Sequence, residues 1–173
     1  MPEPSTNAAL PAAIEVDVID RAAGLAPGQA LFAARRFRAP VVQATQASHD
    51  AILLQPVLGL SVADRLRVAV HVCQASDADS LVQHYFELLK NTPDGAPPHH
   101  PALEAMKHFA ATLTTHPHSG DRAAIEALKA AGLAEEAIVA LAQLVSFLAY
   151  QTRVVAGLLA MKATAAEKPG AQA

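Results

Sequence analysis

The stretch GLSVADRLRVAVHVCQASDADSLVQHYFELL, residues 59–89, decides the fold. It reads as two helices in succession. Ser61 is placed to cap the first one, because its hydroxyl can accept a backbone N–H of the opening turn, and Asp64 follows in the position of a capping-box acid. Leu66, Ala69, Val70 and Cys73 then recur on one face at helical spacing, with Asp64, Arg67, His71 and Gln74 on another. The acids of SDADS suit the start of a second helix, where the helix dipole favours negative charge. Leu81, Tyr85 and Leu88 form the buried stripe of that helix, and residues 75–79 form a turn or a kink between the two.

Outward from this pair the same period continues. Upstream, VDVIDRAAGLAPG is a short helix stopped by Gly24 and the Pro27-Gly28 turn. ALFAARRF is a second segment, ended before Pro40, and VVQATQASHDAILL a third, running to Pro56. Downstream, NTPDGAPPHHP (91–101) breaks the chain. ALEAMKHFAATLTTHP and SGDRAAIEALKAAG, the latter closed by Gly132, lead into one long final helix from LAEEAIV onward. No segment shows the alternation of a strand. The class is all-α. The expected layout is a flexible segment at 1–14, a single domain over 15–162 with the 91–101 loop between its halves, and a frayed tail at 163–173. Similar short connectors open the Ala-rich helices in both halves, a likeness that composition alone produces.

Composition limits the function. Hydrophobic residues make up 52% of the 173, enough for one folded domain with a core. The formal charge is -3, so no basic surplus exists to neutralise a phosphate backbone and nucleic acid is not an expected partner. A single cysteine, Cys73, excludes an intrachain disulfide and a thiolate metal cluster, and fits a reducing cytoplasm. The opening MPEPSTNAALPAA lacks the basic and apolar runs of a secretory signal. AIVALAQLVSFLAYQTRVVAGLLAM (137–161) is apolar enough to raise the membrane question, but Gln143, Gln151 and Arg153 interrupt it, and an arginine near mid-span is costly in lipid. The expectation is a buried helix in a cytoplasmic homo-oligomer, since its apolar surface exceeds what so short a chain covers alone.

The order of these segments resembles the carboxymuconolactone decarboxylase and alkylhydroperoxidase D-like superfamily, most of all its peroxidase-related branch, over residues 50–160. GLSVADRLRVAV is similar to the family's Leu-Ser-x-x-x-Arg-Glu helix start. HYFELL ends the following helix, and the run from FAATLTTHP through Gln151-Thr152-Arg153 is similar to the downstream three-helix segment, whose late helix often carries Asn-Arg. The resemblance implies an alkylhydroperoxidase D-like helical bundle and a redox Cys-x-x-Cys pair four residues before a histidine. With His84 as that histidine, the cysteine positions fall on Asp77 and Ser80, and the family's upstream glutamate falls on Arg65, or on Asp64 with one insertion. In the family the later cysteine attacks a peroxide as thiolate and the earlier one resolves it. Neither Asp77 nor Ser80 can do so.

The candidate catalytic residues are therefore His84 as proton shuttle, Asp64 as relay acid or simple helix cap, and Cys73 as a displaced thiol or a small core hydrophobe. Gln143, Ser146, Tyr150 and Arg153 share one stripe of the last helix, either as a polar network or subunit contact, or as substrate-binding groups facing His84. Arg153 or Arg65 is the expected holder of a substrate carboxylate. His99, His100, His116 and His118 sit in Pro-rich loops, where solvated side chains are expected rather than a metal site. No cofactor is implied. The expected partners are a small-molecule ligand, further copies of the chain, and an oxidoreductase. Three functions fit: a cysteine-less peroxidase relative, a cofactor-independent acid–base enzyme using His84, and a non-enzymatic subunit.

Overall fold

A computed structural model of the chain describes residues 16–93 and 99–166. The expected flexible segment 1–14, residues 94–98 of the 91–101 connector and the end of the expected tail lie outside those residues. The described residues contain no strand, as the periodicity predicts. The helices are α1 (Val18–Ala23), α2 (Ala30–Arg35), α3 (Ala39–Leu54), α4 (Val62–Ala75), α5 (Asp79–Lys90), α6 (Pro101–Thr115), α7 (Arg122–Ala130) and α8 (Glu135–Ala166), with short 3-10 turns at Arg36–Arg38 and Pro117–Ser119.

The pair that decides the fold is its centre. Ser61 caps α4 as expected, accepting from the Asp64 backbone N–H at 3.0 Å. α4 ends at Ala75, and the chain turns within three residues, 76–78, into α5. Asp77 makes that turn with φ of 51°, a left-handed conformation that aspartate tolerates better than most side chains. α4 and α5 thus form a helical hairpin. α4 is buried more completely than one apolar stripe predicts: Val68 and Val72 are enclosed beside Leu66, Ala69 and Cys73, while Val70 is only half-buried. The reason is that α3, α5, α6 and α8 all pack on it.

α8 packs on α1, α3, α4, α6 and α7. Leu141, Leu144, Leu148 and Val155 face inward at helical spacing, and Val139, Tyr150, Leu159 and Met161 stay exposed. By length and composition α8 could cross a membrane, yet a third (33%) of its most apolar window is already buried within this bundle. It continues to Ala166, into the segment expected as tail.

Two fixtures hold the N-terminal elements in place. Asp17 and Asp20 cap α1 reciprocally and both accept from Arg35, at 2.7 and 2.6 Å, while Arg36 adds a further bond to Asp20. Burial pushes the Asp20 carboxyl up, but the bonds from Arg36 and Arg35 outweigh it and hold it below the usual range. Gly24 ends α1 at φ of 61°, a conformation glycine adopts without strain, and Lys162 of α8 donates to the Ala23 and Gly24 carbonyls at 2.9 and 3.1 Å. The fixed α1 forms one wall of the site described next.

Candidate functional site

His84 projects from the middle of α5 into a groove of about 340 Å³ between α5 and α1. Val18, Arg21 and Ala22 line one side, Ser80, Gln83, Glu87, Leu88 and Asn91 the other. Ser80, on which the resemblance places the second redox cysteine, therefore shares the groove with His84. Asp77, the first such position, is exposed in the turn below.

The second partner of His84 was not legible as such. His49, from α3, is buried, and its Nε2 lies 3.4 Å from His84 Nε2. The His49 ring stacks on Tyr85 with centroids 6.0 Å apart. Its Nδ1 lies 2.9 Å from Asp50 Oδ1, and Gln46 Nε2 donates to the same oxygen at 2.8 Å. The Gln46 Oε1 in turn accepts the Val18 backbone N–H at 3.0 Å, which ties α1 to α3 at the edge of the site. Gln46 and Asp50 open on a neighbouring groove of about 390 Å³, and Arg21 borders both grooves. Gln46, His49 and Asp50 stand at the three- and four-residue spacing of one helix face, so their clustering was available from QASHDAILL; their meeting with His84, 35 residues away, was not.

These surroundings set the charge. Burial, then His49, then the positive charge of Arg21 pull His84 down to about 4. Burial also lowers His49, outweighing the opposing pull of Asp50. Both imidazoles are neutral at pH 7, and a neutral imidazole has a lone pair to offer a proton.

The other sequence candidates lie elsewhere. Cys73 is fully buried in the core and burial pushes its thiol up to about 12, so it presents no thiolate to solvent; of its two readings the small core hydrophobe stands, and its place as a candidate catalytic thiol is corrected. Asp64 is consumed by structure. Its carboxylate accepts from Ser61 at 2.8 Å and Arg67 at 3.1 Å, and meets His100 Nε2 at 3.2 Å. His100, expected as a solvated loop residue, caps α6 by accepting the Leu103 N–H on Nδ1 at 3.2 Å, so its Nε2 carries the proton donated to Asp64. Arg65 is buried and donates to the Ile52 and Gln55 carbonyls at the end of α3, at 2.7 and 2.5 Å. It caps α3 and cannot reach a substrate.

The stripe on α8 is divided in the same way. Tyr150 lines an apolar trough with Val41, Thr45 and Phe147, Gln143 a second with Ile52 and Val139, and Arg153 a third with Ser76 and Thr114. None of the three lines the His84 groove, so the expectation that they face it is corrected: on the outer side of α8 the helix itself stands between them and α5. Gln151, by contrast, points inward, accepting the Tyr85 hydroxyl proton on Oε1 in the core. No group of three metal-ligating side chains is present among the described residues.

No family model matches the chain, and no curated protein sequence matches it. Solved structures do. An uncharacterized peroxidase-related protein from Silicibacter sp. TM1040 is 21% identical, with a TM-score of 0.53 over 82% of this chain and 78% of that one. The alkylhydroperoxidase AhpD core of an uncharacterized peroxidase-related protein from Ralstonia eutropha JMP134 is 22% identical, with a TM-score of 0.51 over 80% of this chain and 78% of that one. At these identities the likeness is one of fold, and this chain has the all-α, alkylhydroperoxidase D-like fold that its segment order predicted.

Proposed function

We propose that this chain does not run a dithiol peroxidase cycle and instead uses His84 as a general base on a small organic anion. The observation that carries this reading is a neutral His84 opening on a groove that it shares with Arg21 and Ser80. A dithiol cycle needs two reactive thiols; the chain has one cysteine, and it is buried. Acid–base chemistry needs only a positioned base and a group to hold the substrate. Arg21 takes the carboxylate-holding part that Arg153 and Arg65 were expected to play, because its side chain lines the groove, with Nη1 already donating to the Val16 carbonyl at 2.6 Å. The reaction class is proton abstraction next to a carbonyl, as in an isomerisation, and needs no cofactor.

Two assays test it. The first is hydroperoxide consumption with excess dithiol, for which wild type and Cys73→Ser are both expected to be inactive. The second is deuterium uptake from D₂O into a panel of keto acids and lactones, followed by proton NMR. Wild type is expected to exchange at least one member, and His84→Gln to lose roughly 10²–10⁴ of that rate. Thiol-dependent peroxide turnover that disappears in Cys73→Ser overturns the reading. Absence of exchange across the panel turns it toward a non-enzymatic subunit of an oxidoreductase system.

We further propose that the protein is cytoplasmic and assembles with copies of itself through the outer face of α8. That face carries exposed Val139 and Tyr150 beside Val41 of α3, and the two troughs along it meet at Phe147.

A further inference from the structure

We infer that His49 and Asp50 are positioning residues that fix the tautomer of His84, leaving its Nδ1 as the nitrogen that accepts the substrate proton. This rests on the general-base reading above and names the residues that make it work.

The assignment follows from donors and acceptors taken in order. The Val18 N–H is a donor only, so the Gln46 atom facing it is the carbonyl Oε1, and the Gln46 amide nitrogen faces Asp50. Asp50 Oδ1 accepts that bond and accepts a second from His49 Nδ1, which therefore carries the ring proton. His49 is neutral, so its Nε2 has the lone pair. The atom facing it at 3.4 Å, His84 Nε2, is then the donor. His84 is neutral as well, and its lone pair falls on Nδ1. That nitrogen has no hydrogen-bond partner among the described residues, on a side chain that lines the groove. The sequence of bonds starts at a backbone amide of α1 and ends at the lone pair of a histidine that lines the groove.

The charged and titratable groups around the pair come from three elements. Arg21 and Asp17 of α1 and Asp50 of α3 influence His49, Arg21 and His49 influence His84, and Tyr85 of α5 contributes its ring. In the reaction His84 Nδ1 takes one proton and the substrate keeps the electron pair of the broken bond. The imidazolium so formed holds its Nε2 proton toward His49, whose opposite edge faces the Asp50 carboxylate. The proton returns from Nδ1 to the product, and the ring is neutral again.

The test is ¹⁵N-histidine-labelled full-length protein at pH 7, read by long-range ¹H–¹⁵N correlation, with His49→Gln and His84→Gln used to assign the two rings. His49 is expected with its proton on Nδ1 and His84 with its proton on Nε2. Asp50 is half exposed (49%), so Asp50→Ala is tolerated by the fold and is expected to shift both rings toward mixed tautomers. In any exchange reaction found with the panel above, Asp50→Ala lowers kcat about tenfold or more and leaves KM unchanged. A proton on His84 Nδ1 in the wild type, or tautomers that ignore Asp50→Ala, overturns the assignment. Exchange that survives His84→Gln while the tautomers stand as stated overturns the catalytic role alone, which separates the two failures.

Discussion

His84 is a neutral base because of where α5 puts it, and that has a consequence for stability. Its folded value of about 4 lies below the ordinary 6.5 of the unfolded chain. As the pH falls through 6.5 the unfolded state takes up the proton first, so acidification favours unfolding until the pH passes the folded value. The stability carried by the neutral ring is complete above about pH 6.5 and is lost progressively toward pH 4; the lowered His49 acts with the same sign. Urea midpoints taken at pH 7, 5.5 and 4.5 should fall further in wild type than in His84→Gln, and equal falls would show that His84 does not titrate low. Cys73 makes a parallel case. With burial holding its thiol near 12, it should resist a thiol reagent in the folded protein and react fully in urea, whereas labelling within minutes under native conditions would show an open path to it. At this scale the sequence was partly legible. His84 was found because the resemblance places the family histidine there, on a helix beside Tyr85 and Glu87. Asp64 was open between cap and relay acid, and its bonds to Ser61 and Arg67 decide for the structural role. Arg65 was read as a carboxylate holder and His100 as a solvated loop side chain because the α3 carbonyls and the Asp64 carboxylate that engage them come from distant parts of the chain. Arg21 and His49 were missed because their role arises from a meeting of α1, α3 and α5.

Among the elements, α1 shows how a short helix becomes part of a site. Six residues form no stable helix alone. α1 is held by its capping box, by Lys162 of α8 on its last carbonyls, and by the enclosed pairing of Asp17 and Asp20 with Arg35 and Arg36. Removing the Asp20 carboxylate takes one enclosed ion pair from each of Arg35 and Arg36, and half of the capping box with them. Asp20→Ala should therefore cost about 3–5 kcal/mol by urea denaturation. The same variant should lose the groove wall that Val18 and Arg21 supply. A change below about 1 kcal/mol would mean the pairing is screened by water as surface pairs are. Helix identity was legible throughout, because periodicity, Ser61 and the glycines at 24 and 132 announce starts and stops that depend on local chemistry. What was not legible was rank. α4 is enclosed on nearly every side, and its polar Asp64 and Arg65 are buried with it, since enclosure depends on how many other helices arrive.

For the whole molecule the question is what covers α8. A helix whose most apolar window has a mean hydropathy of 1.5 is only 33% buried there, and the exposed part is an orderly face rather than scattered side chains. Val139 is 58% exposed and Tyr150 42%, with Val41 of α3 at 51% beside Tyr150. Exposed apolar area of this kind favours association, at about 25 cal/mol per Å² removed from water before the cost of lost freedom. A second copy offers the same face, and a two-fold contact needs only that the patch complement itself. The chain is therefore expected to sediment as an oligomer at micromolar concentration. Val139→Lys sets two like charges near each other across a two-fold contact and should shift the population to monomer, while the inward stripe of Leu141, Leu144 and Leu148 keeps the circular dichroism and the thermal midpoint of folding within the monomer close to wild type. The His84 groove lies between α5 and α1, on walls that do not include this face, so exchange activity should survive dissociation. Monomeric wild type at 50 μM, a concentration about fifty times the micromolar scale on which such contacts form, would show that the α8 face is stable in water by itself. Loss of exchange on dissociation would instead mean that assembly holds α1 in place.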